Sequence, residues 1–60
     1  MAGMFVNWLT RENKVKVIGR SLEPNELLDF EKECTAEFGP GDIEIFGTAK
    51  LARLYADRRK

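Results

Sequence analysis

The stretch Ser21 to Gly41, SLEPNELLDFEKECTAEFGPG, shows where a helix starts, runs and stops. Pro24 suits a first helical turn, where its missing N–H costs nothing. Ser21 is placed to cap the turn ahead of it, and Glu23 and Glu26 favour the positive end of the helix dipole. Leu27, Phe30, Cys34 and Phe38 recur at steps of three and four, which puts them on one helical stripe. Leu28 and Thr35 flank the stripe. Asp29, Lys32 and Glu33 point the other way, with Glu26 and Glu37 on the shoulder. Gly39 followed by Pro40 stops the helix, because glycine takes the left-handed cap and proline cannot continue the hydrogen bonding. An amphipathic helix with an acidic outer face is therefore expected here, and the other elements must cover its apolar stripe.

Upstream, Met4 to Thr10, MFVNWLT, is aromatic and β-branched and reads as a strand. Alternation puts Met4, Val6 and Trp8 on one face and Phe5, Asn7 and Leu9 on the other. Both sets are largely apolar, as expected of a strand covered on both sides. Thr10 to Asn13 suits a hairpin turn, with Asn13 tolerant of positive φ. Lys14 to Arg20, KVKVIGR, begins as a clean alternation, with Val15 and Val17 inward and Lys14 and Lys16 outward. Ile18 breaks that alternation, and Gly19 marks a bulge or a strand end.

Downstream, Gly39 to Asp42 is a tight loop, and Asp42 to Phe46, DIEIF, is a third short strand. Thr48 is a reasonable N-cap for Ala49 to Arg59, AKLARLYADRR, in which Leu51, Leu54 and Tyr55 form a stripe extended by Arg58. Lys50, Arg53 and Asp57 face away from that stripe. The competing reading pairs these residues with Asp42–Phe46 as a fourth strand. The order β-β-α-β-α predicts an α+β domain over residues 1–60. Its antiparallel sheet has the order 2-1-3, because a crossover through the acidic helix returns the third strand beside the first. The acidic helix packs on one face, through Leu27, Phe30, Cys34 and Phe38 against Val15, Val17 and one side of the first strand.

Sixty residues with one cysteine and no histidine exclude an internal disulfide and leave no plausible zinc ligand set. A domain so short is marginal alone and needs very efficient packing or a partner's surface. A homodimer is expected, through the Leu51, Leu54 and Tyr55 stripe or an exposed sheet edge. No apolar run reaches membrane-spanning length, the N-terminus lacks a signal-peptide pattern, and a lone cysteine fits a reducing compartment. A cytoplasmic protein with no membrane contact is expected.

Net charge is zero but unevenly laid out. Arg11, Lys14, Lys16 and Arg20 against Glu12 give residues 1–20 a charge of +3. Eight acids against Lys32 give residues 21–46 a charge of −7. Lys50, Arg53, Arg58, Arg59 and Lys60 against Asp57 give residues 47–60 a charge of +4. The blocks either neutralise one another in the fold or make a surface with two faces of opposite sign.

No catalytic or cofactor-binding set emerges. Histidine is absent, Ser21 has no nearby base, and Cys34 lies on the apolar stripe as a small hydrophobe. The carboxylate pairs Asp29/Glu33 and Glu33/Glu37 read as a solvated helix face, and the GPGD loop lacks the spacing and lysine of a phosphate loop. The expectation is a non-enzymatic protein-interaction module without cofactor or metal. It is read as an inhibitor or adaptor of a larger, nucleic-acid-handling assembly, docking through Glu26, Asp29, Glu33 and Glu37 on a protein partner. The alternative is a nucleic-acid-binding protein using Lys14, Lys16, Lys50, Arg53, Arg58 and Arg59.

Overall fold

The hairpin that opens the chain is bent by its own irregularities. In the computed structural model, which describes residues 3–59, β1 (Met4–Thr10) runs antiparallel to β2 (Val15–Leu22). Thr10 N donates to Lys14 O and Asn13 N to Thr10 O, each at 2.9 Å, and Asn13 takes the left-handed conformation at φ 67°. The ladder then slips twice. Trp8 faces Val17 while Leu9 faces Val15, and Val6 faces Arg20. Lys16 and the Ile18–Gly19 pair supply the extra residues. Each such bulge flips the side-chain alternation.

The slips correct the expected placement of the valines. Val17, opposite Trp8, joins the core beneath the acidic helix, whereas Val15, opposite Leu9, turns to the other face of the sheet. Ser21 does not cap the helix either, because β2 continues through Leu22. The helical segment opens instead with a 3-10 turn, Pro24–Glu26. There the Glu23 N–H donates to Glu26 Oε1 at 2.7 Å in a reciprocal capping box.

The turn leads into α1 (Leu27–Phe38), which ends at Gly39 with φ 93°. It is followed by β3 (Gly41–Phe46) and α2 (Ala49–Arg58). Thr48 Oγ1 accepts from Leu51 N at 3.2 Å and caps α2, so this segment is helix and not a fourth strand. β3 pairs antiparallel with β1 in unbroken register from Phe5 opposite Phe46 to Thr10 opposite Gly41. The sheet order is β2-β1-β3, as expected, with the first strand central.

The two helices lie on opposite faces of the sheet. Val6, Trp8, Leu22, Phe30 and Cys34 form the buried core on the α1 side, joined by Met4, Val17, Leu27, Phe38 and Ile43. Trp8 is fully buried and meets the Phe30 ring edge to face, centroids 6.4 Å apart at 84°. Such pairs add about 0.5–1.5 kcal/mol beyond their area burial. On the other face, Asn7 is fully buried against Ala52, and Phe46 lies 5.1 Å from Tyr55 between ring centroids. Three strands at about 4.8 Å spacing span roughly 10 Å, so one helix of similar width roofs each face. The Cα dimensions of 33 × 25 × 11 Å fit that arrangement.

α2 docks by a different stripe from the one its sequence suggests. Its buried residues are Ala52 and Ala56, with Ala49 half-buried above Gly19. Leu51, Leu54 and Tyr55 are 43%, 46% and 43% exposed, with the Tyr55 ring at the flank against Phe46. The reason is local. Gly19 has φ 67°, and the Ala49 methyl carbon lies 3.7 Å from where a Cβ on Gly19 would stand. At that separation the helix rests on the β2 bulge through Ala49 in ordinary van der Waals contact.

Candidate functional site

The sheet sorts the charged residues by face. Glu26 ends the 3-10 turn, and Asp29, Glu33 and Glu37 follow along α1; all four are exposed. They do not point straight away from the sheet. Glu33 and Glu37 line a groove between α1 and the β2 edge with Val17, Phe30 and Phe38, and Glu26, Asp29 and Glu33 line its continuation beside Leu22. Arg20 belongs to both parts of the groove, and its guanidinium carbon lies 5.7 Å from the Phe30 ring centroid. The structure therefore brings the four predicted carboxylates into one row, with a single arginine among them.

The predicted cations collect on the opposite face. Lys14 and Lys16 line a shallow groove of about 260 Å³ with Asn13, Ile18, Ala56 and Arg59. Lys50 and Arg53 are exposed on α2, and Arg58 lies over the Tyr55 ring at 5.9 Å. Arg59 is otherwise engaged. Its Nη2 donates to Glu44 Oε2 at 2.6 Å and its Nη1 to Asn13 Oδ1 at 3.2 Å. It clasps the end of α2 to β3 and to the hairpin turn, so it is spoken for as a phosphate ligand.

Cys34 is buried at 4% exposure. Burial pushes its thiol above the ordinary range; Arg20 pulls it down, while Glu33 and Glu37 add to the rise. Such a thiol is protonated and shielded at neutral pH, the opposite of an activated nucleophile. Among the described residues, no group of three or more Cys, Asp or Glu side chains is arranged to hold a metal ion. Also among them, no helix is long and apolar enough to cross a membrane.

Asn7 is the polar residue whose importance the sequence reading missed. Its Nδ2 donates to Ala52 O at 2.9 Å and its Oδ1 accepts from Gly19 N at 2.9 Å. One fully buried side chain thus completes the β2 bulge and fastens α2. The available signal was a lone amide in the middle of an otherwise largely apolar strand.

No family model matches the chain, and no curated protein and no solved structure matches it.

Proposed function

We propose that this protein is a small non-enzymatic interaction module, an inhibitor or adaptor that lays the acidic side of α1 on the basic surface of a larger assembly. Nucleic-acid-handling proteins offer such surfaces, because a channel built for phosphates also attracts rows of carboxylates. The observation that supports the reading is the alignment of Glu26, Asp29, Glu33 and Glu37 along one groove, all exposed, on the 3-10 turn and the helix that continues it. A row held by secondary structure needs no ordering on contact, which lowers the cost of association.

The test is the association rate with a partner captured from the host. Exchanging Asp29 and Glu33 for lysine should slow association, and added salt should slow the wild type in the same way. An unchanged rate in the variant removes the acidic face from the reading.

The Lys14–Lys16 groove supports the alternative, nucleic-acid binding. There Lys14, Lys16, Lys50, Arg53 and Arg58 would carry the phosphate contacts, without Arg59, which is clasped within the chain. A gel-shift titration with mixed-sequence DNA and RNA at low salt decides between them. No shift is expected; a shift abolished by Arg53→Gln with Arg58→Gln would establish the alternative.

A further inference from the structure

We propose that the outward face of α2 is a second docking surface, and that its occupant is the acidic α1 face of another copy of this chain. This deepens the reading above and rests on it, because the same carboxylates would serve as the receiving side. The starting observation is the inverted seating of α2. A helix normally turns its leucines to the core, yet here Ala49, Ala52 and Ala56 face the sheet while Leu51, Leu54 and Tyr55 stand 43–46% exposed. Around this apolar patch sit Lys50, Arg53 and Arg58 against the one acid Asp57, all exposed.

Charge complementarity selects the occupant. α1 carries Asp29, Glu31, Glu33 and Glu37 against Lys32, with Glu26 just ahead of it. A largely basic rim thus has its counter-charge in the carboxylate row, beside the half-buried Val17 and Phe38 that line the same groove. Both belong to one molecule, but the sheet lies between them, so neither can reach the other within a chain. Their lengths match: ten residues in α2 and twelve in α1. A two-fold pairing of α2 on α2 would instead set the Lys50, Arg53 and Arg58 rims against each other and leave the acidic face unused. The favoured contact is head to tail, and a heterologous contact repeats and does not close on itself after two copies. Because each chain has zero net charge, adding copies accumulates none. One helix laid on another buries less than a standard protein interface, so the contact is weak and depends on salt.

Sedimentation tests this directly. Near 10 mM ionic strength, where screening reaches only beyond roughly 30 Å, the weight-average mass should climb with concentration past that of a dimer. Near 1 M, where the screening length is roughly 3 Å, it should fall back toward the 6.9 kDa monomer. Two variants then separate the faces. Asp29→Lys with Glu33→Lys spoils the receiving face, and Leu51→Gln with Leu54→Gln spoils the donating one. Circular dichroism checks that both remain folded; Asp29→Asn with Glu33→Gln replaces the first if it does not. Each variant alone should be monomeric. Mixed in equal amounts at low salt, they should form a 1:1 complex and stop there, since each retains one intact and complementary face. A wild type that stays monomeric at low salt overturns the proposal, as does a mixture that stays monomeric. Self-association of the Asp29/Glu33 variant by itself overturns it in favour of an α2–α2 dimer. None of these outcomes touches the association-rate test with a captured partner, so the acidic-face reading stands or falls separately.

Discussion

The side-chain amide of Asn7 reaches the carbonyl oxygen of Ala52 at 2.9 Å, across 45 positions of sequence. It joins the middle of the central strand to the middle of the last helix. The same side chain accepts the Gly19 N–H at the β2 bulge. Removing it strands a buried donor, which costs about 1–3 kcal/mol. Asn7→Ala should therefore lower the unfolding free energy from a urea titration by that amount, seen as a lower midpoint with little change in slope. A variant as stable as the wild type would mean that α2 is fastened elsewhere.

Adjacent apolar positions on α1 should respond very differently. Phe30 is 4% exposed and carries the edge-on contact with Trp8, whereas Leu28 is 62% exposed. Phe30→Ala should cost about 3–5 kcal/mol, a large part of the stability of a domain this small. Leu28→Ala should stay within about 0.5 kcal/mol. Thermal melts of the pair check the orientation of the helix. Leu27, half-buried beside the core, should fall between them.

The inverted seating of α2 makes an unusual pair of predictions. Ala52 is fully buried, so Ala52→Leu overpacks the interface and should destabilise by about 1–3 kcal/mol. Leu54→Ala, on the outer face, should change stability by no more than about 0.5 kcal/mol. Chemical denaturation of the two monomeric variants at high salt measures both. The reverse order would place the leucines against the sheet.

Cys34 supplies a pH dependence whose sign can be worked out. Its folded thiol is held above the ordinary value, chiefly by burial. The unfolded chain therefore releases the proton first as pH rises, and the folded form then binds more protons than the unfolded one. Stability from this group is fully present below the unfolded thiol's pKa and is lost from there up through the folded pKa. Unfolding curves collected across the alkaline range should show that decline, and Cys34→Ala should flatten it while lowering stability at neutral pH. At neutral pH a thiol-specific reagent should label the native protein far more slowly than the urea-unfolded chain.

Much of the architecture is legible in the residues themselves, and the failures have physical causes. The body and stop of α1, the Thr48 cap, the positive φ of Asn13 and the central place of β1 all follow from local chemistry and from one topological rule. The split of Val15 from Val17 is not legible, because two bulges change parity without changing composition. Gly19 hinted at one of them; Lys16 gave no sign of the other. The stripe of α2 was misread because leucine outweighs alanine in any hydrophobic count, while contact with Gly19 at Ala49 and the Asn7 bond to Ala52 seat the alanines against the sheet. The four carboxylates were legible as one helical side, but Arg20 in their midst belongs to a strand whose register had to be seen first.

The clasp at Arg59 also sets an order of events. Its guanidinium holds Asn13 in the hairpin turn and Glu44 in β3, 46 and 15 positions away. During synthesis β1 leaves the ribosome early, yet its hydrogen-bonding edge toward β3 waits for β3, and its Asn7 amide has no Ala52 carbonyl to meet until the last helix has followed. Contacts so distant in sequence slow the search for the native pairing. Until then the β1 face that carries Phe5, Asn7 and Leu9, opposite the α1 core, stays open to other chains. A stop codon placed just before α2 should thus yield insoluble material and not a smaller, stable domain.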